Sequence, residues 1–227
     1  MSSFQHELET FLKNNGAADV GFSTVTDGPG GLNNAITIVA RLSDAVIDEI
    51  QDAPTYTYFH HYRTVNQFLD QLALKCGFLL SSHGYKYINV AASQSIPAMG
   101  SPYQGRYSHK KAAVLSGLGT IGKNALFLHK DFGPRVRLCT VFTDCQFEIG
   151  VKLNSSVCIS CDKCVAACPA HAISGNVWSA DIEYEKFFTS KLCSDYMKQA
   201  FQKIGRGAVC GLCMRVCPAP ISKTKEI

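Results

Sequence analysis

Four cysteines and a proline constrain this chain more than any other feature in it. Residues 158–169 read C-I-S-C-D-K-C-V-A-A-C-P, which places Cys158, Cys161, Cys164 and Cys168 before Pro169 as C-x2-C-x2-C-x3-C-P. Three thiolates at such short spacing wrap three corners of an iron–sulfur cubane. The fourth is carried away from that corner and ligates a second cluster. Pro169 ends the loop by fixing φ and removing a backbone donor.

Two cubanes need eight thiolates, so a second half-site is expected. Downstream, Cys210, Cys213 and Cys217 with Pro218 repeat the run as C-x2-C-x3-C-P, and Gly207 stands where its leading cysteine would be. Cys193, seventeen residues before Cys210, supplies the missing ligand. Exchanging the last cysteine of each run, as in bacterial two-cluster ferredoxins, assigns Cys158, Cys161, Cys164 and Cys217 to cluster I. Cluster II takes Cys168, Cys193, Cys210 and Cys213. Zinc in closed four-ligand sites explains the C-P punctuation and the interleaving less well. A disulfide framework belongs to oxidising compartments, and the opening M-S-S-F-Q-H-E lacks the pattern of a signal peptide. Cys76, Cys139 and Cys145 lie in apolar stretches and read as small buried hydrophobes.

A chain of 227 residues is one large domain or two small ones, with ample length for a core. No run approaches the eighteen or so apolar residues of a membrane span, so no membrane association and a cytoplasmic, reducing setting are expected. Charge is uneven: residues 1–60 hold two basic and eight acidic residues, and residues 61–227 hold twenty basic and ten acidic. A basic half is one route to nucleic acid. Here two oxidised thiolate-ligated cubanes, each carrying about −2, offset part of it and leave a modest excess for an anionic ligand or an acidic redox partner. The Lys223–Thr224–Lys225 tail reads as solvated.

Apolar periodicity predicts a helix over 3–15, strands at Ala18–Ser23 and Ala35–Leu42, and a second helix from Ser43 to about Gln51. Val65, Phe68, Leu69, Leu72, Cys76, Leu79 and Leu80 recur at three and four within a long helix from Tyr56 to Ser82. A strand over Tyr85–Ala92 follows, then a loop over Ser93–Arg106 broken by Pro97, Gly100, Pro102 and Gly105. Ser108 caps a short helix, His109–Ser116. Ala125–His129 and Arg135–Thr143 read as two strands joined by a hairpin-like connection. The alternation predicts an α/β sandwich over 1–149, carrying a glycine-rich loop, followed by a ferredoxin-like double-cluster domain over 150–227.

That loop, Gly117-Leu118-Gly119-Thr120-Ile121-Gly122-Lys123-Asn124, satisfies both G-x-G-x-x-G and G-x4-G-K. A P-loop requires Ser or Thr after its lysine, and Asn124 stands there. A dinucleotide fingerprint requires a strand before and a helix after, yet A-L-F-L-H follows. Two readings survive: glycines that let backbone approach a flat or anionic group closely, with Lys123 and Asn124 as donors, or glycines that serve tight packing only.

G-L-G-T-I-G-K-N, then F-G-P-R-V-R-L-C-T-V-F-T-D, then the two cysteine runs with a lone cysteine between them, resembles the epoxyqueuosine reductases. These are cobalamin-dependent enzymes with two [4Fe–4S] clusters, related in their core to reductive dehalogenases. The likeness runs from about Tyr56 to Pro218. It implies that the clusters feed single electrons to a base-off corrinoid whose cobalt reduces a substrate. It also implies that Gly117, Gly119, Gly122, Lys123, Asn124, Arg135 and Arg137 lie near that corrinoid. There are departures. The family's V-D-T-A-P-like segment, whose Asp donates a proton, is matched by Asn89-Val90-Ala91-Ala92-Ser93-Gln94, which has no carboxylate. The family's tryptophan is Thr120, and the helical-repeat extension associated with tRNA is not found after Cys217.

Reduction of epoxyqueuosine in tRNA is therefore not expected of this chain. Without the Asp, the weak candidates for a proton donor are Tyr103, Tyr107 and His109, in or just after a Pro/Gly-rich loop where functional side chains concentrate. The expected function is a corrinoid-dependent reductase. It would be fed by a low-potential donor such as ferredoxin or flavodoxin and would act on a small molecule or a corrinoid protein. The alternative is a non-catalytic electron-transfer or corrinoid-activating protein.

Overall fold

The computed structural model describes residues 3–96 and 102–220. Pro97 and Gly100, and the Lys223–Thr224–Lys225 tail, lie outside them. In chain order the elements are α1 (Ser3–Asn14), β1 (Asp19–Thr24), a short 3-10 turn (Pro29–Gly31), β2 (Asn34–Arg41), α2 (Asp44–Asp48), α3 (Tyr56–Ser82) and β3 (Tyr87–Val90). Next come α4 (His109–Leu115), β4 (Gly119–Ile121), β5 (Phe127–His129) and β6 (Val136–Thr143). The cysteine-rich part adds α5 (Lys163–Ala166), α6 (Tyr184–Phe187), α7 (Ser190–Ala200), α8 (Gln202–Gly205) and α9 (Leu212–Arg215). None of the described helices is long and apolar enough to cross a membrane.

The chain divides into two compact units, and the division is not a single cut near residue 150. Unit one is residues 1–41, 64–118 and 137–154; unit two is residues 42–63, 119–136 and 155–227. The cysteine-rich segment thus gathers two upstream stretches around itself, because its short helices bury little surface of their own.

Unit one is a four-stranded sheet in the order β1-β2-β6-β3, with β1–β2 and β3–β6 antiparallel. Side chains alternate across a strand, and the two faces meet different partners. Ile36, Ile38 and Ala40 of β2 and Cys139 and Val141 of β6 pack with Leu8 and Leu12 of α1. Leu69, Leu72, Ala73, Cys76 and Leu80 of α3 belong to the same cluster. Ala35, Val90 and Phe142 face the other way, onto Ala112 of α4. Helices on both faces of one sheet make the mixed α/β sandwich that the alternation predicts. Ser108 caps α4, its side chain accepting from the Lys111 amide, and Gly84 leaves α3 with φ +83°.

Two local expectations change. The second helix is shorter than Ser43–Gln51, and Ser43 caps it with no side-chain hydrogen bond; its amide instead donates to His61 Nε2 at 3.1 Å. Phe127–His129 and Val136–Thr143 do not form a hairpin with each other. β5 pairs antiparallel with β4, from within the glycine-rich stretch, while β6 joins the large sheet. A tight turn does close between His129 and Gly133, but the strands leaving it go to different sheets.

Candidate functional site

All eight cysteines expected as cluster ligands lie in unit two. The first run coils around a left-handed residue on each side of Cys161: Ser160 at φ +54° and Asp162 at φ +58°. Such turns aim successive sulfurs inward at one centre. α5 starts behind Asp162 and carries Cys164. α9 starts behind Gly211, also left-handed, and carries Cys213. The two cysteine runs therefore repeat one local fold, a left-handed residue followed by a four-residue helix.

Gly207 explains the missing cysteine. A Cβ there would fall 2.8 Å from Lys198 Cα, the backbone of α7. That helix carries Cys193, so the element that excludes the ligand from position 207 delivers its replacement.

Electrostatics sorts the sulfurs into the two expected sets. Burial, then Cys217 and Cys158, push the Cys164 thiol up to about 11. Burial raises Cys217, with Cys158 and Cys161 adding to it. In the other set, burial, Cys210 and Cys168 push Cys193 up to about 11. Burial raises Cys213 strongly, with Cys210, Cys193, Cys168 and, last, Cys164 contributing. Cys164 and Cys213 thus sit where the two sets meet. Thiols held this far from ionisation need a bound cation to become thiolates.

The spacing fits a cubane better than zinc. Among the described residues no three cysteine sulfurs lie within 4.8 Å of one another. A tetrahedral zinc with bonds of about 2.3 Å would hold its sulfurs roughly 3.8 Å apart. Backbone amides also point at the sulfurs, as the Ala172 N–H does at Cys168 Sγ (3.4 Å). A small cavity is lined by Cys158, Cys161, Cys164, Cys217, Lys123 and Asp162, four of which are the cluster I ligands. Cys161 is exposed and Cys164 and Cys168 are buried.

Three residues of the glycine-rich stretch, Gly119–Ile121, are strand. α4 precedes it and β4 begins at Gly119, the reverse of the strand-then-helix order that a dinucleotide site needs. Its glycines close on their own chain: a Cβ at Gly117 would stand 2.1 Å from Val151 O, and one at Gly119 would stand 2.0 Å from Leu128 O. Gly122 packs against Leu128 and Asn124. Lys123 Nζ donates to Asp162 Oδ1 at 2.6 Å, and Asn124 Nδ2 donates to the Cys213 carbonyl at 3.3 Å.

Arg135 is buried and donates to Asp44 Oδ1 at 2.9 Å and Asp48 Oδ1 at 2.8 Å. Arg135 holds the Asp48 carboxyl below its usual range. Arg137 belongs to unit one, where its Nε donates to Asn66 Oδ1 at 2.9 Å and its NH2 to the Ala92 carbonyl at 3.3 Å.

His109 lies beside the same segment. Its Nε2 is 2.9 Å from the Ala91 carbonyl and its Nδ1 is 2.8 Å from Thr140 Oγ1. Those partners assign the neutral Nε2–H tautomer, and burial lowers its pKa. Asp70 of α3 accepts from the Ala92 amide at 2.8 Å. A carboxylate therefore does stand beside Ala91-Ala92, delivered by another element, and only the fold reveals it. Tyr107 donates to Asp27 Oδ1 at 3.1 Å under Lys111, whose Nζ is 5.5 Å from the ring centroid. Burial, then Asp27, raise its pKa. Tyr103 is partly exposed.

Comparison with known proteins agrees with this geometry. A 4Fe-4S double cluster binding domain matches residues 157–220. A tetrachloroethene reductive dehalogenase of Dehalobacter restrictus is 34% identical over 117 residues, 46% of this chain and 21% of its own. An epoxyqueuosine reductase of Synechocystis is 28% identical over 138 residues, 59% of this chain and 47% of its own. The matched stretches thus span about a fifth to about half of these relatives. In fold, a reductive dehalogenase whose structure suggests a mechanism for B12-dependent dehalogenation covers 93% of this chain and 31% of its own, with a TM-score of 0.73 at 18% identity. An epoxyqueuosine reductase from Streptococcus thermophilus covers 100% of this chain and 69% of its own, with a TM-score of 0.63 at 16% identity. The chain is an α/β protein with a match to a 4Fe-4S double cluster binding domain over residues 157–220, and its homologues include both the epoxyqueuosine reductases and the reductive dehalogenases.

Proposed function

We propose that this chain is an iron–sulfur reductase that moves electrons one at a time through two [4Fe–4S] clusters to a corrinoid. The observation that carries the reading is the match of residues 157–220 to a 4Fe-4S double cluster binding domain, within which all eight expected ligand cysteines fall. Within it, Cys158, Cys161, Cys164 and Cys217 hold cluster I, and Cys168, Cys193, Cys210 and Cys213 hold cluster II. Amides aimed at the sulfurs stabilise the reduced, more negative state, which is how a protein sets a cluster's potential. Exposure of Cys161 gives a low-potential donor, a ferredoxin or a flavodoxin, a place to approach. A reducing cytoplasm suits the free thiols.

Kinship supports the corrinoid, since one structural neighbour is described by B12-dependent dehalogenation. A bound corrinoid would supply a cobalt able to reduce a small molecule or a second corrinoid protein. The side chains of Lys123, Asn124, Arg135 and Arg137 all have partners within their own units, and the glycines close on their own chain.

That commitment favours a second reading, an electron carrier or corrinoid activator with no substrate of its own. Anaerobic protein made with corrinoid available separates the two. Eight irons with matching sulfide are expected from two cubanes. Stoichiometric cobalt and a base-off cob(II)alamin EPR signal support the reductase. Eight irons without cobalt, and fast reduction of a partner protein, support the carrier. Zinc in place of iron overturns both.

A further inference from the structure

The sequence offers Lys123 to an outside anion, but the residue is buried beside the cysteines expected to hold cluster I. It lines the cavity with Cys158, Cys161, Cys164 and Cys217, and both Cys158 and Cys164 act on its charge. The residue is buried, and its 2.6 Å ion pair with Asp162 fixes where the charge sits. Asn124, the next residue, turns to the other set and binds the Cys213 carbonyl. The turn after β4 therefore serves both cluster sites, giving a cation to one and a neutral amide to the other. The influences on Cys193, Cys210 and Cys213 are burial, neighbouring thiols and one backbone amide.

We propose that Lys123, anchored by Asp162, is a positioning residue that raises the reduction potential of cluster I relative to cluster II. An electron shared by the pair would then rest on cluster I. The inference depends on the two-cluster reading above. The step is the gain of one electron by a [4Fe–4S]2+ core, giving [4Fe–4S]+. The thiolate-ligated cluster then goes from about −2 to about −3, with no bond made or broken and no proton required. A fixed positive charge at the sulfurs favours the more negative product. In the test the electron comes from dithionite.

The experiment is an EPR-monitored dithionite titration of anaerobic holoprotein, with iron counted in every sample. Lys123→Met should make one of the two clusters about tenfold harder to reduce, which is 59 mV for one electron, and leave the other in place. Lys123→Arg keeps the charge and should restore the value. Asp162→Asn should shift the same cluster the opposite way, and by less, because Asp162 is 56% exposed and screened. Asparagine also tolerates the left-handed conformation at that position.

Potentials that stay put, that move together, or that move in the same direction in Lys123→Met and Asp162→Asn overturn the proposal. If Lys123→Met cannot hold iron, the opposite shift in Asp162→Asn still decides. Wild-type protein without eight irons defeats the two-cluster reading itself, and the iron count separates that failure from an unmoved potential.

Discussion

Unit one and unit two solve the problem of stability with different materials. Unit one has most of α3, a helix of 27 residues, and a continuous apolar cluster drawn from α1, α3, β1, β2 and β6. In unit two α5, α6, α8 and α9 are four residues each, too short to stand without outside support. Two of the four buried residues in its cluster around Ile173 are cysteines, Cys164 and Cys168. All five non-glycine residues with positive φ among the described residues, Ala125, Ser160, Asp162, His171 and Arg206, also fall in unit two. Each costs conformational energy that something else must offset. The contrast sets a core built on one long helix against one in which short helices pack around cysteines, alongside buried Leu42, Ile47, Ile50 and Phe187.

Iron removal is the strongest way to break that contrast. Anaerobic chelation should open unit two broadly in hydrogen exchange while β2 and β6 keep their protection, because binding free energy is folding free energy where ligands hold the structure together. Equal loss of protection in both units would defeat the comparison.

Leu69→Ala attacks the other side. Leu69 is fully buried against the sheet, so a loss of about 2–5 kcal/mol is expected. Denaturant unfolding followed by a probe in unit one should show it, with iron content unchanged. Arg135→Met removes the guanidinium shared by Asp44 and Asp48, and Asp48 also faces Arg215 at 3.7 Å, within the second cysteine run. Hydrogen bonds to charged groups are worth about 1.5–3 kcal/mol. About tenfold faster cluster release to a chelator is therefore expected, with little change in unit one.

The smallest effect concerns pH. Burial lowers the folded pKa of His109, so its neutral form is favoured in the fold. Its contribution is fully present above the unfolded value of about 6.5 and is lost as pH falls through the lower folded value. The thermal stability of unit one should fall as pH drops through that window, and His109→Gln should flatten the slope. A slope that survives the substitution assigns it to another group.

The parts of this architecture that were legible in the sequence are those set by local rules. The spacing of Leu69, Leu72, Cys76 and Leu80 marks α3, and Ser108 marks the start of α4, because periodicity and capping act within a few residues. The double-cluster segment was legible because ligand spacing is itself local. What escaped depends on partners far away in the chain. The pairing of β5 with β4 was hidden because a glycine-rich strand reads as a loop. The targets of Lys123 and Arg135 were hidden because Asp162, Asp44 and Asp48 bear no sequence relation to them. Asp70 was invisible beside Ala92 for the same reason: the residues are 22 apart and on different elements.

The interleaving of the chain has a practical edge. Residues 42–63 and 119–136 belong with the cysteine-rich segment, so a fragment cut at 150 would leave Lys123, Asn124 and the Arg135 guanidinium behind. Cys217 would close the ring opened at Cys158, and Cys213 would complete the second set, so on the ribosome neither inorganic core could be finished until both cysteine runs have emerged.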